Sequence, residues 1–247
     1  FCSESQLSEE IKSLIKMTFS VYKHFGFEDI SIALSTRPEK RVGNEKLWDK
    51  SEKILKEVLS QTVESFTVQE GEGAFYGPKI EFSLTDSLDR IWQCGTIQLD
   101  FSMPSALTAS YVDENDIKLV PVMIHRAILG SIERFIGILL EHYGGNLPFW
   151  LSPKQIIIAN ISDKHVKFAR KIEKELVESN FRCFLDLRNE KIGYKIRELI
   201  IAKVPYVVII GDKEVSSGNI SVREYDGTEH KLISVDGFIK KLSSKKS

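Results

Sequence analysis

The feature that most constrains the fold is a break. Residues 144–148, Gly-Gly-Asn-Leu-Pro, end an amphipathic helical pattern with two glycines and a proline, residues that a helix does not run through. The patterning differs on its two sides, so the chain reads as two domains, residues 1–146 and 152–247. After the break, residues 155–161 form a continuous apolar strand. Asp163 can cap a helix running to about residue 179, with Val166, Ala169, Ile172, Leu176 and Val177 inward. Residues 181–187 are a second strand, 192–203 a second helix and 204–211 a third strand. That βαβαβ order demands a mostly parallel sheet with right-handed crossovers. Residues 219–225 and 229–233 add a hairpin around Asp226-Gly227. Residues 235–242 are a closing helix, and Lys245, Lys246 and the serines read as a frayed tail.

Before the break, Ser3 and Gln6 can form a capping box. Leu7, Ile11, Leu14, Thr18, Val21 and Phe25 then recur at helical spacing, and Gly26 suits the C-terminal cap. Residues 31–35 are a short strand, 36–41 (TRPEKR) an exposed charged loop, and 44–59 a helix with Leu47, Ile54, Leu55, Val58 and Leu59 inward. Residues 80–84 and 90–101 are strands. Residues 120–124 form a buried strand that turns at His125-Arg126. The chain then passes Gly130-Ser131 into a helix with Ile132, Phe135, Ile136, Leu139 and Leu140 on one side.

Composition narrows the function classes. The net charge of −1 gives no global basic field, so any nucleic-acid site must be a local patch. Cys2, Cys94 and Cys183 are sparse and odd in number, which fits a reducing cytosol better than a disulfide framework. No apolar run reaches the ~18 residues of a membrane span, and FCSESQ is no signal peptide.

Four stretches carry chemistry. Residues 71–79, GEGAFYGPK, hold three glycines and a proline, so their backbone can approach a ligand closely. They lack the GK[ST] ending and open a strand rather than a helix, so a phosphate cradle fails and a hairpin turn is the plain reading. Along residues 90–101, Ile91, Gly95, Ile97, Leu99 and Phe101 take one face. Trp92, Cys94, Thr96, Gln98 and Asp100 take the other. Polar side chains on so apolar a strand suggest a site floor, or else a solvated face. Gln93 breaks the alternation: either Gly95 marks a bulge that resets the register, or Gln93 works through its backbone, or it has no place at the site. His125, judged on pattern alone, is a packed, hydrogen-bonded histidine. Cys2, Cys94 and His125 have no zinc spacing. Arg134 enters its helix in the first turn, where a positive charge opposes the dipole, so it is either aimed at a ligand or a plain surface arginine on a core helix.

GSIER (residues 130–134) after a strand resembles the third signature motif of the class II aminoacyl-tRNA synthetases. PVMIHRAILGSIERFIGILLEHYGG, LSTRPEKR, GEGAFYGPKIEF, WQCGTIQLDF, DLRNEKIGYKIRE and VPYVVIIGDKEV resemble the threonyl-tRNA synthetase family in particular, from end to end. Ala127 stands where the general motif often has a second glycine. The resemblance implies an α+β fold. Part of an antiparallel-sheet catalytic domain would be followed by an α/β anticodon-binding domain with a mixed five-stranded sheet. It also implies a chain that begins inside the catalytic domain, with two zinc ligands upstream and no activity of its own.

The same resemblance assigns roles. Tyr76 and Gln98 would bind threonine, with Gln98 near its ammonium. Gln93, Thr96, Ser131 and Arg134 would bind ATP, with Arg134 as the catalytic residue against adenine and Lys79 facing nucleotide or solvent. His125 would ligate Zn²⁺, and Mg²⁺ would accompany ATP. Threonine's amine and hydroxyl could chelate zinc together, whereas valine lacks the hydroxyl. Asn189, Arg197, Glu214 and Arg223, on loop or strand ends near one sheet edge, would read the anticodon of tRNA(Thr) through base edges. A cytoplasmic homodimer is the implied assembly. Two rivals stand beside this reading. A non-catalytic RNA-binding module would have no use for GSIER, Tyr76 and Gln98. A prolyl enzyme would have no hydroxyl to chelate at His125.

Overall fold

The computed structural model describes residues 1–245. They fall into two compact units, residues 1–142 and 143–245, each described here by itself. Lys246 and the terminal serine lie outside the described residues. Of the expected tail, Lys245 is held, its Nζ donating to the Tyr206 hydroxyl at 2.7 Å.

In the first unit, α1 (Leu7–His24) and α2 (Glu45–Thr62) cover one face of a sheet. α1 turns Leu7, Ile11, Ile15, Thr18 and Tyr22 inward, so Ile15 and Tyr22 are buried one position past the expected Leu14 and Val21, and Phe25 is half-buried. Asn44 caps α2 by accepting the Leu47 N–H at 2.9 Å, as its residue type favours. On α2, Trp48 and Ser51 join Leu55, Val58 and Leu59 in the core. The sheet contains β1 (Ile30–Ser35), β2 (Thr67–Gln69), β3 (Lys79–Thr85), β4 (Ile91–Asp100) and β7 (Met123–Ala127), in the order β2-β1-β3-β4-β7. Every pair is antiparallel except β1 with β2. Between β4 and β7 lie α3 (Met103–Ala106) and a small ribbon of β5 (Tyr111–Val112) and β6 (Lys118–Leu119). The core sits between sheet and helices, with the Phe19 and Phe82 rings edge to face at 6.0 Å.

Two local expectations change here. The strand expected at residues 120–124 lies further on. Val120 is exposed, and β7 runs through His125 and Arg126 instead of turning there. Its ladder with the long β4 continues from Asp100↔Met123 to Thr96↔Ala127, and that pairing holds the backbone extended. The second change is in α4 (Ile132–His142), which buries Phe135, Ile138 and Leu139 and leaves Ile132, Ile136 and Leu140 exposed. The helix is apolar around most of its circumference, so periodicity does not choose a face. Phe135 chooses it by packing edge-on to Phe25 at 5.0 Å.

The second unit has β8 (Ile156–Asn160), α5 (Val166–Glu178), β9 (Cys183–Asp186), α6 (Ile192–Ile201), β10 (Tyr206–Ile210), α7 (Asp212–Ser217), β11 (Ile220–Glu224), β12 (Glu229–Ile233) and α8 (Val235–Ser243). The sheet order is β12-β11-β10-β8-β9. β8 runs parallel to β9 and β10, and the β11–β12 hairpin is antiparallel, which makes the five-stranded sheet mixed as expected. Gly227 turns that hairpin at φ +93°. Both faces are covered. Ile156, Ile158, Val208 and Ile210 meet Ile172 and Leu176 of α5 and Phe238 of α8. Ile157, Ala159 and Val207 meet Ile192, Ile196 and Leu199 of α6 on the other side. Val177, expected inward, is exposed.

Candidate functional site

β4 does not alternate from end to end. Phe82 pairs with Gly95 and Ser83 with Gln93, so Cys94 is an extra residue and the register shifts there. Such a bulge moves every residue beyond it to the opposite face. Gln93 therefore joins Thr96 and Gln98 on the polar face, opposite Ser83, Glu81 and Lys79 of β3. This answers the question that simple alternation raised for Gln93. Trp92 moves the other way, opposite buried Leu84, and Cys94 is 2% exposed, so neither lies on the expected polar face.

The glycine loop that precedes β3 aims Tyr76 across this face. Two of its three glycines serve backbone-to-backbone packing, while Gly71 takes a left-handed turn at φ +81°. A Cβ on Gly73 would lie 2.5 Å from the Thr36 carbonyl oxygen, and one on Gly77 1.7 Å from that of Leu99. The close approach inferred from glycine content is thus to the ends of β1 and β4. With the loop seated there, the Tyr76 hydroxyl donates to Gln98 Oε1. Burial, then the charge of Asp100, raises the Tyr76 pKa and keeps the phenol a donor. The second lone pair of Gln98 Oε1 can accept from a substrate ammonium. Lys79 stands opposite Gln98 with its Nζ 2.5 Å from Glu81, which also accepts from Ser35 at 3.0 Å. It is a paired cation on the floor, not a solvent-facing one.

His125 lies directly opposite Gln98, with its ring 5.2 Å from that of Tyr76. Its Nε2 is 3.0 Å from Oδ2 of Asp100, which is fully buried. Sequence reasoning placed Asp100 on the polar face but gave it no role. Among the described residues no three His, Cys, Asp or Glu side chains gather to hold a metal ion. His125 fits as a single member of a ligand set: it is part-exposed, backed by a carboxylate, and in line with Tyr76 and Gln98.

The residues assigned to ATP divide. Gln93 and Thr96 share the polar face. Ser131 caps α4, its Oγ accepting the Arg134 N–H at 3.2 Å. The Arg134 guanidinium is exposed and lies 5.8 Å from the Trp92 ring. Trp92 itself is fixed by donating to Asp86 at 2.8 Å. The described contacts bring Arg134 to Trp92 and not to Gln93 or Thr96.

In the second unit the four expected RNA-reading residues also divide. Asn189 and Arg197 follow β9 and are exposed, whereas Glu214 and Arg223 belong to α7 and β11, with β8 and β10 between the two pairs. They do not share one sheet edge. Glu214 and Arg223 line one cleft of about 290 Å³ with Ser221 and His230. Glu214 is 8% exposed and its carboxylate is already occupied, by the Gly211 N–H at 2.9 Å and the Ser221 hydroxyl at 2.6 Å. Arg223 pairs with Glu229 at 3.0 Å, and its buried Nε has no hydrogen-bond partner. Lys195, not anticipated, is buried and donates to the Asn160 carbonyl, Asn160 Oδ1 and the Asp186 carbonyl at 3.0–3.1 Å. It ties together the C-terminal ends of β8 and β9, where the Asn189 loop begins.

Comparison with known proteins now defines the class. Residues 1–143 match the family described as tRNA synthetase class II core domain (G, H, P, S and T), and residues 155–245 match the anticodon binding domain. The chain belongs to the class II tRNA synthetase family. Within it, the chain is similar to proteins named threonine–tRNA ligase. That of Halorhodospira halophila is 54% identical over 244 residues, 99% of this chain and 38% of that protein. That of Prochlorococcus marinus is 55% identical over 239 residues, 97% of this chain and 38% of that protein. Among solved structures, the RNA binding domain of threonyl-tRNA synthetase from Cryptosporidium parvum Iowa II superposes with a TM-score of 0.93. It is 40% identical, covering 99% of this chain and 62% of that one. The chain thus spans 38% of the length of these curated relatives.

Proposed function

We propose that this chain supplies the substrate floor and the anticodon domain of a threonine–tRNA ligase. In that reaction threonine and ATP give threonyl-adenylate and pyrophosphate, and threonine then passes to the terminal adenosine of tRNA(Thr), releasing AMP. What most supports the reading is the convergence of Tyr76, Gln98, His125 and buried Asp100 on one sheet face in register with Thr96 and Gln93.

Each residue then has a task. Gln98, held by Tyr76, accepts from the substrate ammonium. Thr96 and Gln93 border the nucleotide, and Arg134 with Ser131 forms its outer wall. Lys79, tethered to Glu81, offsets phosphate charge together with the Mg²⁺ that accompanies ATP. His125 would hold zinc as one of its ligands. A bound zinc ion supplies a Lewis-acid position that amine and hydroxyl can occupy together. A pocket demanding that hydroxyl rejects valine far better than hydrocarbon contact alone. No side chain need act as a general base, because positioning and charge compensation can carry adenylation. Asn189, Arg197 and the Glu214–Arg223 cleft would face the anticodon. The resemblance extends the proposal to a cytoplasmic homodimer.

The test uses the chain extended upstream to the length of its relatives. His125→Ala should lower threonine-dependent ATP–pyrophosphate exchange at least about 100-fold. Arg197→Ala should leave exchange within about twofold while weakening tRNA binding by about 1–3 kcal/mol, the worth of one specific base contact. Exchange lost in the arginine variant would sink the division of labour between the two units.

A further inference from the structure

Asp100 is fully buried, and neither of its oxygens is free to turn. Oδ1 accepts the Ser102 N–H at 2.8 Å and the Met103 N–H at 2.9 Å. Oδ2 points at His125 Nε2 from 3.0 Å. The backbone on both sides is locked by the β4–β7 ladder, with Gln98 opposite His125 and Asp100 opposite Met123. A carboxylate oxygen has no hydrogen to give, so the contact is a bond only when Nε2 carries the proton. We propose that Asp100 is a positioning residue: it fixes the His125 ring as the Nε2–H tautomer and presents a bare Nδ1 lone pair as the ligating atom.

This deepens the zinc reading above and rests on it for the identity of the ligand, though not for the tautomer. Ligating histidines commonly donate their second ring N–H to a carboxylate, which orients the ring and strengthens it as a ligand. Burying a carboxylate is costly unless it is well partnered. Asp100 has two backbone donors on one oxygen and the imidazole on the other, so its burial is compensated only while Nε2 keeps its proton, which in the neutral ring leaves Nδ1 bare. The Tyr76 ring, 5.2 Å away, flanks the imidazole on one side.

Asp100→Asn makes the role testable. The amide oxygen can keep the bonds to Ser102 and Met103, while the amide nitrogen takes the place of Oδ2 and donates to Nε2. The ring proton is then forced onto Nδ1. The readout is the ¹⁵N shift pair of the His125 ring in this chain, free of metal. The wild type should show Nε2–H and the variant Nδ1–H. Nδ1–H in the wild type, or an unchanged tautomer in the folded variant, overturns the proposal. If the variant fails to fold, the wild-type spectrum still decides. In the chain extended to the length of its relatives, Asp100→Asn should weaken zinc binding by about 10–100-fold. His125→Ala separates the two claims: unchanged zinc affinity there would remove the metal reading, while the ring spectra would continue to decide the role of Asp100.

Discussion

The two five-stranded sheets solve opposite problems. The second is covered on both faces, and its interior strand β8 is buried at every position from Ile156 to Asn160. The first is covered by helices on one face only. Its other face carries Gln93, Thr96, Gln98 and His125 in register, part-exposed or exposed. A sheet sealed on both sides reads in sequence as continuous apolar runs, and one sealed on a single side reads as alternation. The difference teaches where removing a polar group costs fold and where it costs function. In the second unit polar side chains that face inward hold the backbone together. On the first sheet they line the open face, where the substrate is proposed to bind.

Lys195→Met should show the largest effect. It leaves three carbonyl oxygens without their donor, at about 1 kcal/mol each, so about 3 kcal/mol in all. Urea unfolding followed by a probe in the second unit measures it. A neutral result would mean that those carbonyls find water or other donors, and the contrast between the sheets would weaken. Gly77→Ala comes next, at about 2 kcal/mol, in the range of overpacked sites. Its Cβ would press on the Leu99 carbonyl, and the loop must lift, taking the Tyr76 hydroxyl from Gln98. A crystal structure of the variant with the loop in place would contradict this.

The smallest effect is on acidification. Arg188 holds Asp186 below the usual carboxylate range, against the opposing pull of its burial. For Glu224 burial is the largest single influence and acts upward, but Lys241 and His230 together outweigh it and leave the group lowered. A lowered folded value means that the unfolded chain binds the proton more readily. The stabilisation is therefore complete above the ordinary carboxylate range, and it is lost as pH falls through the depressed values, from about pH 5 downward. Glu224→Gln should melt lower than the wild type at pH 7 and lose less on going to pH 3. Parallel losses in the two proteins would exclude Glu224 as a contributor.

Much of this architecture was legible. Apolar runs announced the parallel strands of the second unit, Asn44 announced its helix, and Asp226-Gly227 announced its hairpin. The polar face of β4 showed in its alternation, and so did Asp100. Its partner was hidden, because His125 lies 25 positions away in sequence and only the β4–β7 register brings the two together. The bulge at Cys94 left one broken alternation as its only trace. β2 is exposed at all three positions, so it carries no apolar signal. α4 offered two apolar faces, and the choice was made by Phe25, just past the end of α1. Lys195 hid behind its charge, since nothing local marks a lysine whose partners are two main-chain carbonyls and the Asn160 side chain. Glu214 was legible as an unusual acid, but its cap on Gly211 and its bond to Ser221 were not.

The central claim is that the open face of the first sheet is the substrate floor. A threonyl-adenylate analogue titrated into ¹⁵N-labelled chain, extended to the length of its relatives, tests it most directly. The account predicts that the largest amide shifts fall on Tyr76, Gln93, Thr96, Gln98 and His125, while α1 and the second sheet stay still. Saturating analogue that leaves those five residues unmoved would contradict it.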